Sequence, residues 1–277
     1  MRNYIYNPKD NGTIDKKPQE LLLNKIINIT FIVVILFCGF VLYLYSTYSS
    51  AIIDGRSMWP TLNASSYDNH SELPYEPHTF DVAYYTTFKD KNKNDIVIVD
   101  YEHSGIRNID AIKRLIATGG DKIYYYMGHI YINNKIADET YLNDGYNYIA
   151  KKYGKSSADK WKENSFNVGK SNFENWCEAL VNGGQMSYET EFFKNYKTKY
   201  SGCIKHDDVL DTYTLTLPKN FVYVLGDNRA HSTDSSSFGP IESKYVLAKV
   251  DYVVYDNLNL VEYFWSQFLR KIGIVKA

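Results

Sequence analysis

The chain has little of what would tie it to metals, disulfide scaffolds or nucleic acids. Three of its 277 residues are cysteine: Cys38, Cys177 and Cys203. No group of Cys, His, Asp and Glu has metal-ligand spacing, and no glycine-rich loop is built to cradle a phosphate, so no cofactor is expected. Excess charge of either sign is also missing. Lys and Arg total 31 against 32 Asp and Glu, a formal net charge of −1. No long basic run marks a surface for nucleic acid, and no internal repeat is visible.

What is present begins with length. A chain of 277 residues allows one large or two small domains with a sizeable core. Tyrosine is abundant, at 27 residues, and Asn, Lys and Ile are frequent. That suits a sheet-rich protein with long polar loops, and a lineage-wide composition bias gives the same pattern.

The stretch Ile26 to Tyr45 reads IINITFIVVILFCGFVLYLY and contains no charged residue. At about 1.5 Å per residue, about 20 helical residues cross a hydrocarbon core of roughly 30 Å. A buried soluble helix of that length would carry a polar stripe, and none is written here. Residues 26–48 are therefore expected to form a transmembrane helix, with the lipid bilayer as a partner. Arg2, Lys9, Lys16, Lys17 and Lys25 precede it, whereas residues 46–55 hold no Lys or Arg before Arg56. That asymmetry puts the N-terminus in the cytoplasm and the bulk of the chain outside. Ser49 and Ala51 resemble a signal-peptide cleavage site, but the apolar run is longer than a usual signal core. A retained anchor is the preferred reading. Cys177 and Cys203 then lie where disulfides persist, and a bridge between them is one expectation, two free thiols the other.

Residues 1–25 read as a polar cytoplasmic tail. Residues 63–78, with scattered Asn, Ser, His and Pro, read as a loop. Strand-like runs follow at Phe80–Thr87, Asp95–Tyr101, Ala111–Ala117, Lys122–Tyr126 and His129–Ile132, and again at Thr212–Leu217, Phe221–Leu225 and Ala248–Tyr255. Between Asn143 and Asp211 no strand period appears. Phe173–Val181 suggests a short helix ending at Gly183, and the segment is read as an insertion, either a solvated elaboration or a docking surface for substrate. The last stretch, 258–277, is amphipathic. It either lies on the membrane with Trp265 and Phe268 at the interface or packs on the protein.

Three segments carry candidate chemistry: Gly55 to Leu62 (GRSMWPTL), Ile112 to Ile116 (IKRLI) and Gly226 to Ser235 (GDNRAHSTDS). Ser57 follows a turn-forming region and precedes Pro60, so its hydroxyl and its own N–H can be presented to a substrate, although most turn serines are merely solvated. On a strand, Lys113 shares a face with Ile109, Ala111, Leu115 and Ala117, while Arg114 points the other way with Ile112 and Ile116. A lysine among apolar neighbours loses hydration and its pKa falls, which equips it as a base. An edge lysine that snorkels to water fits the same pattern. His231 invites a Ser-His-Asp reading, but no other feature recruits it.

The ordered set GRSMWPTL, NDIVIVD, IKRLIATGGD and LGDNRAHSTDSSSFGPI, behind an N-terminal anchor, closely resembles the boxes of bacterial type I signal peptidases. The resemblance implies a mainly β fold: an antiparallel β catalytic core (49–118 and 212–257) with a second β-rich subdomain inserted at 119–211. It implies Ser57 as nucleophile and Lys113 as general base. Ser232 would hydrogen-bond the lysine amine, Asp234 would hold that loop, and Asp227 would pair with Arg114. Ile53, Met58 and Ile112 align with positions that shape shallow pockets for small residues, Ala-X-Ala-like, before the cut. The implied partners are signal peptides of secreted preproteins, with the secretion translocon a further candidate. Three departures stand out. Gly55 removes a side-chain contributor to the oxyanion hole, leaving the Ser57 N–H as the main donor. Ser236 replaces the usual Arg, so Asp234 needs another partner. Gly119-Gly120 replaces the usual Pro, expected only to loosen a turn. Two rival readings remain: a self-cleaving repressor with a similar Ser-Lys pair, disfavoured by the anchor, and a signal-peptidase-like module without catalysis that assists extracellular assembly such as pilus formation.

Overall fold

The computed structural model describes residues 5–6, 14–15, 18–63, 80–107, 109–188, 190–255 and 259–271. Most of the expected tail and all but Asn63 of the expected 63–78 loop lie outside these residues, as do 256–258 and 272–277. Two compact units form: Met1–Tyr48 with Phe264–Ala277, and Ser49–Tyr263.

In the first unit, strands β1 (Ile5–Tyr6) and β2 (Ile14–Asp15) pair antiparallel. Helix α1 then runs over Pro18–Thr47. It starts eight residues before Ile26, because a proline fits the first helical turn, where its missing N–H costs nothing, and Leu21 to Leu23 extend the apolar surface. The span Gln19–Thr47 is long and apolar enough to cross a membrane, and none of its most apolar window is buried.

The second unit is built on two antiparallel sheets. The larger has the order β13-β12-β6-β5-β14-β4-β3, from β3 (Ser49–Ile52), β4 (Val82–Thr86), β5 (Ile96–Asp100), β6 (Asp110–Thr118), β12 (Phe221–Leu225), β13 (Ile241–Glu242) and β14 (Val246–Val254). The smaller has the order β10-β11-β7-β8-β9, from β7 (Lys122–Tyr126), β8 (His129–Ile132), β9 (Lys135–Ile136), β10 (Ile204–Asp207) and β11 (Thr212–Thr216). The sheet-rich antiparallel class agrees with the sequence. Thr212–Thr216 pairs with β7, so the smaller sheet takes residues from both sides of the expected boundary at 211.

The long insertion is more helical than its sequence suggests. Helices α2 (Tyr141–Tyr153) and α3 (Lys155–Asn182) precede the short α4 (Glu191–Asn195). The buried stripe of α3 is Ala158, Trp161, Ser165, Gly169, Phe173, Trp176, Cys177 and Leu180. Its spacing of three and four is helical, but Ser165 and Gly169 interrupt the apolar pattern, which hides everything before Phe173. The end is as read: Gly183 takes a left-handed φ of 82° and its N–H returns to the Ala179 carbonyl. Phe173, Trp176 and Cys177 pack with Ile123, Tyr125, Leu215 and Tyr223 into one core shared by α3 and both sheets. Cys177 and Cys203 are both free, so the bridge is absent. Cys177 is instead fully buried in that core.

The Gly119-Gly120 turn also departs from expectation. A Cβ on Gly119 would lie 2.1 Å from the Lys219 carbonyl oxygen, and Gly120 has a φ of 94°. Rather than loosening the turn, the pair lets two backbones meet and takes a conformation that favours glycine.

Candidate active site

Strand β6 carries the centre of the site. Its alternation sends Lys113 to one face and Arg114 to the other, as its sequence predicts. Lys113 is only 4% exposed. Its Nζ donates to Ser57 Oγ at 2.8 Å and to the Ile112 carbonyl at 3.0 Å, and it sits 5.7 Å from the Tyr101 ring centroid. Burial is the main reason its pKa is pushed down to about 8; Asp234 opposes the fall, Arg107 adds to it, and Asp227 opposes it again. A neutral amine is therefore accessible close to physiological pH.

Ser57 lies in the loop between β3 and Asn63. Asn63 fixes the loop's far end. Its N–H donates to Asp81 Oδ2 at 2.6 Å, its Oδ1 accepts from the Asp81 N–H at 2.8 Å, and its Nδ2 donates to the carbonyls of Ile53 (2.6 Å) and Gly55 (3.3 Å). It does so at a φ of 57°, which Asn tolerates better than most residues. The sequence marked neither Asn63 nor Asp81; an Asn directly after PTL, able to adopt that φ, is the one available signal. Gly55 has a φ of 103° with nothing near a hypothetical Cβ, so backbone conformation accounts for glycine there.

The turn after β12 holds Ser57 from the other side. The Asn228 N–H donates to the Ser57 carbonyl at 2.9 Å, and Asn228 Nδ2 to the Arg56 carbonyl at 3.0 Å. A Cβ on Gly226 would lie 2.4 Å from both the Ser57 carbonyl oxygen and Ser232 Oγ, so only glycine fits. Asp227 pairs with Arg114 as expected, through Nε to Oδ1 at 2.8 Å and Nη2 to Oδ2 at 2.6 Å. The guanidinium stacks on Tyr141, 3.8 Å from the ring centroid. Such a bidentate, buried pair fixes geometry more than it stabilises the fold.

Of the two supporting residues in this turn, only Ser232 departs from expectation. Asp234 finds its partner in Ser236, the residue that replaced Arg: Oδ1 accepts from the Ser236 N–H (3.0 Å) and hydroxyl (2.8 Å), and Oδ2 from the Gly226 N–H (2.9 Å). It thereby caps the four-residue helix α5 (Ser235–Phe238). Ser232 does not bond the amine. Its buried Oγ has no hydrogen-bond partner among the described residues, because Lys113 Nζ turns to Ser57 and the Ile112 carbonyl instead.

These residues open onto a cleft of about 570 Å³ in which Ile53, Met58 and Ile112 lie beside Ser57 and Lys113. Ile53 and Met58 also pack into the core with Leu62, Ala83 and Ile98, so they form a firm floor. His231 lines the same cleft, but its Nδ1 lies 2.7 Å from Arg56 Nη2, the position a triad would give to a carboxylate. The helical insertion supports the site from behind. Trp59 joins Ile149, Ala158 and Trp161 in a buried cluster, and Gly145 of α2 faces Pro60 so closely that a Cβ would meet Cγ at 2.9 Å.

A serine hydroxyl bonded to a buried amine, on an antiparallel sheet beside an open cleft, is an arrangement suited to serine hydrolysis. The family model described as "Signal peptidase, peptidase S26" matches residues 23–255, and the chain belongs to this family of serine endopeptidases. It is 25% identical over 214 residues to a signal peptidase I of Bacillus caldolyticus, covering 76% of this chain and 80% of the relative. It is 27% identical over 177 residues to a signal peptidase IB of Staphylococcus aureus (strain COL), covering 60% and 70%. A solved signal peptidase I from Enterococcus faecalis V583 aligns at 21% identity and a TM-score of 0.32, covering 59% of this chain and 98% of that one.

Proposed function

We propose that this chain is a single-pass membrane endopeptidase, N-terminus cytoplasmic, that removes signal peptides from exported preproteins with Ser57 as nucleophile and Lys113 as general base. The observation that carries the reading is the 2.8 Å contact between Lys113 Nζ and Ser57 Oγ in a site where the amine is almost wholly buried. Neutral Lys113 takes the hydroxyl proton as Ser57 attacks the carbonyl that ends the leader. The Ser57 N–H, which makes no hydrogen bond among the described residues, donates to the developing oxyanion. Lys113 returns the proton to the leaving amine, then deprotonates the water that releases the acyl-enzyme. Ile53, Met58 and Ile112 leave shallow room beside Ser57, which suits Ala-X-Ala-like leaders. Anchoring through α1 confines enzyme and leader to one surface and raises their effective concentration.

The test is cleavage of an Ala-X-Ala leader substrate by the full chain. Ser57→Ala and Lys113→Ala should each abolish cleavage while circular dichroism stays unchanged. Full activity in Lys113→Ala would remove the assignment. Loss of cleavage in His231→Ala with retention in Lys113→Ala would favour a triad, and an inert wild type would favour the assembly-module reading.

A further inference from the structure

The C-terminal helix α6 (Leu260–Lys271) is not used by the chemistry above. It begins with reciprocal capping: the Asn259 N–H donates to Glu262 Oε2 and the Glu262 N–H to Asn259 Oδ1, both at 2.9 Å. At 100° per residue, Leu260, Val261, Phe264, Trp265, Phe268 and Leu269 fall on one half of the helix, which the final Lys271 also enters, with Glu262, Tyr263, Ser266 and Gln267 on the other half. Part of that apolar half is covered. The Phe264 ring meets Phe40 of α1 edge-on, with centroids 5.8 Å apart. The rest is not. Trp265 and Phe268 stack at 5.6 Å and remain 53% and 49% exposed.

Phe40 supplies a depth gauge. It lies five residues before Tyr45, after which the polar Ser46 and Thr47 close the apolar stretch, so it sits about 7.5 Å inside the apolar segment at 1.5 Å per residue. Helices that lie in a membrane interface bury their apolar face about 5–10 Å below the headgroups. Phe264 therefore meets α1 at the level an interfacial helix occupies. Trp265 and Phe268 are left open on the same helix, and on α1 Tyr43 and Tyr45 are themselves 56% and 67% exposed, the residue types of an aromatic belt.

We infer that α6 lies in the outer membrane interface with Trp265 and Phe268 inserted among the acyl chains, a lipid-binding surface additional to the spanning helix. The inference rests on the reading that α1 crosses the bilayer. The chain would then be held at both ends of its extracytoplasmic part.

Full-length protein reconstituted in phosphatidylcholine vesicles tests this. Trp59, Trp161 and Trp176 are buried, and the Trp265 emission is obtained by subtracting a Trp265→Phe variant. Lipids brominated near the carbonyl end of the chain should remove more than about half of the Trp265 emission, and more than lipids brominated at the methyl end, while aqueous iodide does little. Strong iodide quenching with no bromolipid effect would place the face in water and overturn the inference. Resistance to both quenchers would place it against protein and overturn it equally. Flotation separates this from failure of the anchor. If α1 does not span, alkaline carbonate strips the protein from the vesicles; if only α6 is misassigned, the protein still floats.

Discussion

Acidifying the assay should switch this enzyme off along a curve set by one buried amine. With Lys113 at a pKa of about 8, the neutral fraction is about one half at pH 8, one tenth at pH 7 and one hundredth at pH 6. A leader peptide without titrating side chains should therefore show kcat/KM rising about tenfold from pH 6 to 7 and levelling above about pH 9, since this ratio reports the free enzyme. Burial lowers the pKa first, and Arg107 lowers it further. Arg107→Gln should accordingly move the rising limb to higher pH, whatever it does to the plateau. A continuous fluorogenic assay in buffers of constant ionic strength suffices. A flat profile from pH 6 to 9 would refute the reasoning. So would a limb near about pH 6.5 that vanishes in His231→Gln, because an imidazole would then be the base.

Two further outcomes follow from the same geometry. Folding lowers the Lys113 pKa from 10.5 to about 8, so the folded state binds its proton more weakly than the unfolded state. The resulting penalty, on the order of 3 kcal/mol, is fully present below about pH 8 and disappears as pH rises toward 10.5. Lys113→Met should be inactive yet raise the midpoint of thermal unfolding at pH 7, with the gain shrinking at pH 10; a lower midpoint at pH 7 would contradict the burial argument. Gly145→Ala should press on Pro60 and displace the Ser57 loop, lowering kcat by about tenfold or more with KM little changed. Lys151→Ala, on the exposed side of α2, is the control and should leave both constants as they are.

The membrane-length helix, most strands and the alternation on β6 were legible because each depends on local patterns: apolar length, period two and turn residues. The Arg114–Asp227 pair came from family resemblance, and its geometry agrees. What escaped was tertiary. Helix α3 was hidden because its buried stripe includes Ser165 and Gly169, residues whose type gives no apolar signal. Asn63 looked like an ordinary loop residue and Asp81 like an ordinary strand residue, since nothing local says that 18 positions apart each side chain accepts from the other's main-chain N–H. Ser232 shows the limit of carrying a role across by motif: the residue is in place and buried, but the amine it was expected to orient is already engaged with Ser57 and a main-chain carbonyl.

The missing side chain at Gly226 has a practical consequence for engineering. Because that glycine lets the main chain of 226–228 rest directly against the carbonyl of the nucleophile, the two loops behave as a single interlocking part. A chimaera that imports residues 53–63 from a relative should therefore import 226–236 with them. Exchanging either stretch alone would mate surfaces shaped for different counterparts.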